Sequence, residues 1–328
     1  MAHMDGSSHR HDDDARGREA ETPLEIPRIG WMDIARRLVA HFSANRVMLV
    51  AAGVTFYGLL ALFPALTALV SIYGLAADPE TVIEHVDALS LVLPPGAVDI
   101  IGDQMQRIAG QSGEALGLGF AIGLGIALWS TNTGVKAMMD AINVAYGEPE
   151  KRGFLHLNAV SFAFTLGGIA IIILILTIIV FIPVALALIG FEAVITTVFH
   201  YVRWPVLFLL VVAAIAVLYR YGPSRRRAQW RWITPGAAIA TLVWLIVSLL
   251  FSWYVANFDS YNETYGSLGA VIAFMVWMWL SATTVISGAL IDAEVEHQTT
   301  QDTTVGAARP MGERGARVAD TVGPSADD

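Results

Sequence analysis

Apolar residues gather into six runs of roughly twenty residues or more, and about 20 consecutive apolar residues are enough for a helix to cross a bilayer. The runs cover residues 47–76, 115–135, 158–189, 204–221, 234–256 and 266–291. Between them lie segments rich in charge, glycine and proline. The pattern predicts an all-α polytopic membrane protein with six transmembrane helices, its membrane domain occupying residues 28–297. Pro64 sits inside the first run, where it removes one backbone hydrogen bond and bends the helix. Thr234 and Pro235 are expected to start the fifth helix as N-cap and first-turn proline.

Three segments outside the runs have patterns of their own. Over residues 31–46, Trp31, Ile34, Leu38, Val39 and Phe42 recur at helical spacing, whereas Asp33, Arg36, Arg37, His41 and Arg46 fall largely elsewhere. This predicts an amphipathic N-terminal helix, either lying on the membrane surface or packed against the end of the bundle. Residues 78–114 are acidic and contain two short apolar-periodic stretches broken at Pro94 and Pro95, which predicts a helical extracytoplasmic cap. Residues 1–27 and 298–328 are polar and lack an apolar period, so both are expected to be disordered tails. No charged and apolar pattern precedes a small-residue cleavage site, and no removable signal peptide is expected.

Composition agrees with this class: 55% of residues are hydrophobic, only 15% are charged and the mean hydropathy is +0.58, against about a quarter charged in a soluble domain. The chain has no cysteine, which excludes disulfides, thiolate nucleophiles and cysteine-based metal centres. The net charge of −9 comes from acidic flanks and loops, whereas the basic residues divide unevenly between alternate connections. Counted from residue 28 onward, fifteen Lys and Arg fall on the side of the two termini and two, Arg107 and Arg203, on the other. The positive-inside rule then places both termini in the cytoplasm.

Polar residues within or beside the runs are the candidates for chemistry. Asn132, Lys136, Asp140 and Asn143 share one helical face, and Lys136 and Asp140 are spaced to pair. Ionisable residues inside a bundle mark pathways, but the same pair can also snorkel from a helix end to the interface. Asn257, Asp259, Tyr261, Asn262, Glu263 and Tyr265 form a polar entrance to the sixth run. That stretch reads either as a substrate gate or as capping, close packing and headgroup anchoring of the next helix. Tyr57 is a candidate for the lining of a pathway as well as for packing. Together, Tyr57, Asn132, Lys136, Asp140, Asn143, Asn257, Asp259, Asn262, Glu263 and Tyr265 make up a candidate polar pathway. No catalytic residue, metal ligand or cofactor site is assigned. Residues 222–232, with Arg225, Arg226, Arg227, Trp230, Arg231 and Trp232, have the composition of a nucleic-acid patch. Between two spans the same composition is that of a cytoplasmic loop with an interfacial aromatic belt. Membrane lipids are therefore the expected partners, and nucleic acid is not. The acidic segment 78–114 is a candidate surface for an envelope partner.

Several stretches resemble the BrkB/YihY family of bacterial inner-membrane proteins. They are Ala51 through Pro64, Leu218 through Pro223, Trp230-Arg231-Trp232, Pro235-Gly236 and Tyr261 through Gly269, in the order the family has them. The resemblance covers residues 35–296 and implies a six-helix fold in the bacterial cytoplasmic membrane. It implies no settled activity, because the family carries a legacy label of transfer-RNA-processing ribonuclease BN, an association with virulence and serum resistance, and proposals of lipid or solute transport. The sequence departs from the family at the end of the sixth run. Where the family tends to read Gly-Ala-Glu-x-Asn-Ala-Glu, Leu290 stands at the first acidic position and Asp292 two residues later. Transport of a lipid or small solute is the leading functional expectation. A non-catalytic envelope scaffold and a ribonuclease are the alternatives.

Overall fold

The computed structural model describes residues 15–74, 116–183, 193–257 and 269–325. The chain forms α1 (Arg28–Ala44), α2 (Val47–Gly74), α3 (Leu116–Tyr146), α4 (Phe154–Leu176), α5 (Ala193–Tyr221), α6 (Trp230–Asn257), α7 (Gly269–Glu296) and the single turn α8 (Arg317–Asp320). A π-helical turn, Thr177–Phe181, continues α4. Among the described residues regular structure is helical, apart from one isolated bridge between Ala228 and Thr304. Four helical stretches are long and apolar enough to cross a membrane: Phe154–Ile179, Thr197–Tyr221, Trp230–Val255 and Val271–Glu296. A fifth results if α1 and the start of α2, bent by 57° at Asn45 and Arg46, count as one broken span. The expected cap over 78–114 and the entrance residues Asp259, Asn262, Glu263 and Tyr265 lie outside the described residues.

The core lies at one end of the bundle. It joins Val47, Ala51 and Val54 from the start of α2, Ile142 and Ala145 from the end of α3, and Ala216 and Tyr219 from the end of α5. Ile233 and Ala237 from the start of α6 complete it with Ile286, Ala289, Leu290 and Ala293 from the end of α7. Helix starts and helix ends thus meet at the same level, as in an up-and-down bundle with short connections at this end. Alanine and glycine dominate these contacts because membrane helices associate by close van der Waals approach. Gly236 and Gly288 let α6 and α7 touch, and Gly134 does the same for α3 against Ala61 and Gly58 of α2. Farther along, Leu166, Ile172, Leu209, Leu245, Leu249 and Trp253 are exposed, forming a belt suited to hydrocarbon rather than water.

Two expectations are corrected at this end, and of the two alternatives for α1 the structure shows the packed one. α6 begins at Trp230, so Pro235 lies inside the helix and the Thr234 hydroxyl donates to the Trp230 carbonyl (2.8 Å) instead of capping. α1 turns its charges inward: Asp33 and Arg37 are buried, while Ile29, Met32 and Val39 are exposed. The Arg37 guanidinium donates to the Glu294 carboxylate (2.7 Å) and to the Gln298 side chain (2.8 Å), and His41 pairs with the other Glu294 oxygen. The helix therefore packs on the end of the bundle with Asp33 and Arg37 alongside Ile34, Leu38 and Phe42, and leaves Ile29, Met32 and Val39 exposed.

The flanks are the second correction, because their described parts are packed in place of the disorder expected for 1–27 and 298–328. Thr300 N donates to the Arg18 carbonyl and the Thr299 hydroxyl to that of Ala20, both at 2.7 Å. Val305 N donates to Arg227 O (2.9 Å), and Arg317 N donates to the Glu148 carboxylate (2.6 Å). Arg314, 5% exposed, holds the carbonyls of Thr300 and Ala319. Asp320 accepts from the backbone of Gly312, Arg314, Gly315 and Ala316. These segments are held by satisfied polar groups together with a few apolar anchors, Ala20, Ile26 and Val318, too scattered along the chain to give an apolar period.

Acid sensitivity follows from the same region. Burial, reinforced by Arg37, His41 and Arg18 and opposed by Glu294, lowers the His297 pKa to about 4. The folded state therefore excludes a proton that the unfolded chain accepts near 6.5, so stability is full above that pH and falls as the pH drops toward 4. Glu150 titrates lower, at about 2, chiefly because the Arg152 guanidinium hydrogen-bonds to it, so its contribution is lost only between about 4.5 and 2. The thermal midpoint of the purified protein is expected to drop from pH 6.5 to pH 4.5, and His297→Gln is expected to flatten that slope. A wild-type midpoint constant across the interval would contradict this placement of His297.

Candidate functional site

α4 and α5 touch only sparsely, and the gap between them is an elongated cavity of about 990 Å³. Its walls are apolar: Val160, Ala163, Phe164 and Gly167 from α4, Leu210, Ala214 and Val217 from α5, with Val135 and Met138 of α3 behind them. Gly167 and Gly168 have open space where a side chain would stand, so α4 is narrowest along the cavity. At the end nearest the core the lining changes to Lys151, Arg152, His156, Arg220, Arg225, Arg226 and Arg227. One end is thus strongly cationic and the rest is hydrocarbon.

The basic end is built by two tight connections that interlock. Asn143 at the end of α3 donates to Glu150 (3.2 Å) and accepts from the Ser224 amide (2.7 Å), while the Ser224 hydroxyl accepts from Lys151 N (2.9 Å). Arg152 pairs with Glu150 (2.6 Å) and donates to the Gly222 carbonyl (2.8 Å), closing the end of α5. Arg225, whose side chain is 2% exposed, pairs with the fully buried Glu296 at 2.6 Å. Aromatic faces hold the cations: Arg220 lies 4.2 Å from the Trp230 ring, Arg225 4.7 Å from Tyr146 and Arg227 4.9 Å from Tyr221. Such stacking fixes the guanidinium plane.

Four arginine N–H groups at this end are buried without a partner: Nε and Nη1 of Arg220, Nη1 of Arg225 and Nη1 of Arg226. An unsatisfied buried donor costs about 1–3 kcal/mol, and more when charged. Lys151, Arg152 and Arg225 each have a carboxylate, whereas no ion pair joins Arg220, Arg226 or Arg227 to an acid among the described residues. The end of the cavity therefore has both surplus positive charge and surplus donors.

The candidate polar pathway is only partly brought together. Asn132 (1% exposed) accepts from Thr165 at 3.4 Å and Lys136 donates to Asn158 at 2.6 Å, forming a polar seam between α3 and α4. The Asn132 amide nitrogen has no partner there. Lys136 engages Asn158 and not Asp140, and Asp140 is exposed. Asn143 is a structural joint of the basic end. Tyr57 is 44% exposed and edge-on to Phe56 at 5.5 Å, on the outside of α2. Asn257 ends α6. Asp292 is fully buried, with one oxygen accepting from the Gly236 amide (2.7 Å), so it joins α7 to α6; Leu290 is a core residue.

Sequence reasoning used Arg152 and Arg220 as orientation signals, weighed Arg225, Arg226 and Arg227 as a cytoplasmic loop against a nucleic-acid patch, and did not single out Gly167 and Gly168. The available signal was the interleaving of those arginines with Tyr219, Tyr221, Trp230 and Trp232.

A family profile described as virulence factor BrkB matches residues 38–311. The chain is 28% identical over 267 residues to the putative ribonuclease-like protein YfkH of Bacillus subtilis (strain 168), a match covering 80% of this chain and 94% of that one. It is 26% identical over 282 residues to the UPF0761 membrane protein VV0203 of Vibrio vulnificus (strain YJ016), covering 84% and 87%. A shorter match, 36% over 87 residues, is to the UPF0761 membrane protein Rru_A2625 of Rhodospirillum rubrum and covers 26% of this chain and 20% of that protein. No solved structure matches.

Proposed function

From the premise that this chain belongs to the virulence factor BrkB family of membrane proteins, we propose that it moves a lipid-like amphiphile across the bacterial cytoplasmic membrane. One observation carries this reading: a cavity between α4 and α5 that is hydrocarbon along its length and cationic at one end. A water-soluble solute has little use for apolar walls of that extent, whereas an amphiphile matches both parts. α2 to α7 are the six spans, and the basic end faces the cytoplasm with both termini. The ligand's tail then lies along α4 and α5, and its polar group sits at the level of the inner leaflet.

The test is lipid translocation. Purified protein in phosphatidylcholine vesicles containing a trace of a fluorescent phospholipid should raise the rate at which inner-leaflet probe becomes accessible to dithionite. A rate equal to that of protein-free vesicles, for each headgroup tried, would overturn the proposal.

A further inference from the structure

Resting on the amphiphile reading, we infer that the ligand's polar group is a phosphate monoester or diphosphate, bound by the arginines at the end of the α4–α5 cavity. The positive-inside rule accounts for arginines on this side of the membrane, but not for their burial. An arginine serving only topology would keep its N–H groups in water, whereas Arg220, Arg225 and Arg226 hold unpartnered N–H groups out of solvent. They line a single cavity together with Arg152 and Arg227. A phosphate offers several acceptor oxygens to converging guanidinium forks, and a carboxylate offers two.

Charge narrows the class further. With Glu148, Glu150 and Glu296 already paired to Lys151, Arg152 and Arg225, the surplus falls on Arg220, Arg226 and Arg227. A headgroup with more than one negative charge balances that surplus better than a diester with one, and a zwitterion does not balance it. The aromatic stacks of Arg220 on Trp230 and Arg227 on Tyr221 set these side chains before a ligand arrives, which lowers the ordering cost of binding.

Equilibrium binding to the full chain in detergent micelles tests the inference with four probes: dioleoyl phosphatidate, phosphatidylglycerol, phosphatidylcholine and inorganic phosphate. Affinity should fall in the order phosphatidate, phosphatidylglycerol, phosphatidylcholine, and inorganic phosphate should bind far more weakly than phosphatidate because it has no tail for the cavity. Arg220→Gln should weaken phosphatidate about 10-fold or more and leave phosphatidylcholine unchanged, since one charge-assisted hydrogen bond is lost. Arg220→Lys should recover part of the loss. Arg220 pairs with no carboxylate among the described residues, and an unchanged thermal midpoint confirms that the variant folds. Equal binding of phosphatidate and phosphatidylcholine, both abolished by a bulky side chain at Gly167, would overturn the headgroup inference and leave the amphiphile reading standing. Inorganic phosphate binding as tightly as phosphatidate would overturn the amphiphile reading, and the inference with it.

Discussion

Replacing Glu296 with alanine is expected to destabilise the protein by about 3–5 kcal/mol, the cost of leaving one member of a buried ion pair alone. Glu296 is 0% exposed, bonds Arg225 at 2.6 Å and accepts the Thr303 hydroxyl at 2.8 Å, so the substitution also loosens the C-terminal flank from the bundle. Measured by heating in detergent, the midpoint should fall on the order of 10 °C. The double variant Glu296→Ala, Arg225→Ala should recover part of that loss, because it removes the uncompensated cation as well. A fall below about 1 kcal/mol in the single variant would show that the pair is hydrated and weak.

Gly288→Val has the second large effect. A Cβ at Gly288 would run into the Tyr219 hydroxyl and the Ala240 methyl, and one at Gly236 would meet the Gly288 carbonyl and the Asp292 carboxylate. Backbone cannot yield there without separating α6 from α7, so the cost should reach or exceed the usual range for overpacking, about 1–3 kcal/mol. Gly288→Val should leave little monodisperse protein after detergent extraction, as judged by size-exclusion chromatography. Gly123→Ala is the control: open space surrounds that position, and the variant should extract as the wild type does. Equal yields of both variants would contradict the close crossing.

The membrane helices were legible because the property that makes them, a long apolar run, is a sum over sequence. The groove was not, for a related reason. α4 carries Asn158, Ser161 and Thr165 on the face that meets α3, but the rest of residues 154–176 is so uniformly apolar that nothing separates the wall facing α5 from the wall facing lipid. Gly167 and Gly168 are not marked out by the pattern, yet the space beside them is open. Charge had the opposite defect. Counting arginines predicts a side of the membrane and cannot say that Arg225 is buried against Glu296, a partner 71 residues away. The flanks escaped because their order depends on which carbonyls Arg314 and Thr299 reach, and composition does not encode that. α1 was legible as amphipathic, but its packing side was decided by Glu294 and Gln298, far off in the chain.

The measurement closest to the central claim compares phospholipid translocation in vesicles by the wild type and by Gly167→Trp. The substitution fills the α4–α5 cavity from a position with no neighbour within 4 Å, so the variant should fold and reconstitute normally. The account predicts that the wild type accelerates translocation and that Gly167→Trp reduces it to the protein-free rate. A folded Gly167→Trp protein that moves lipid as fast as the wild type would contradict it.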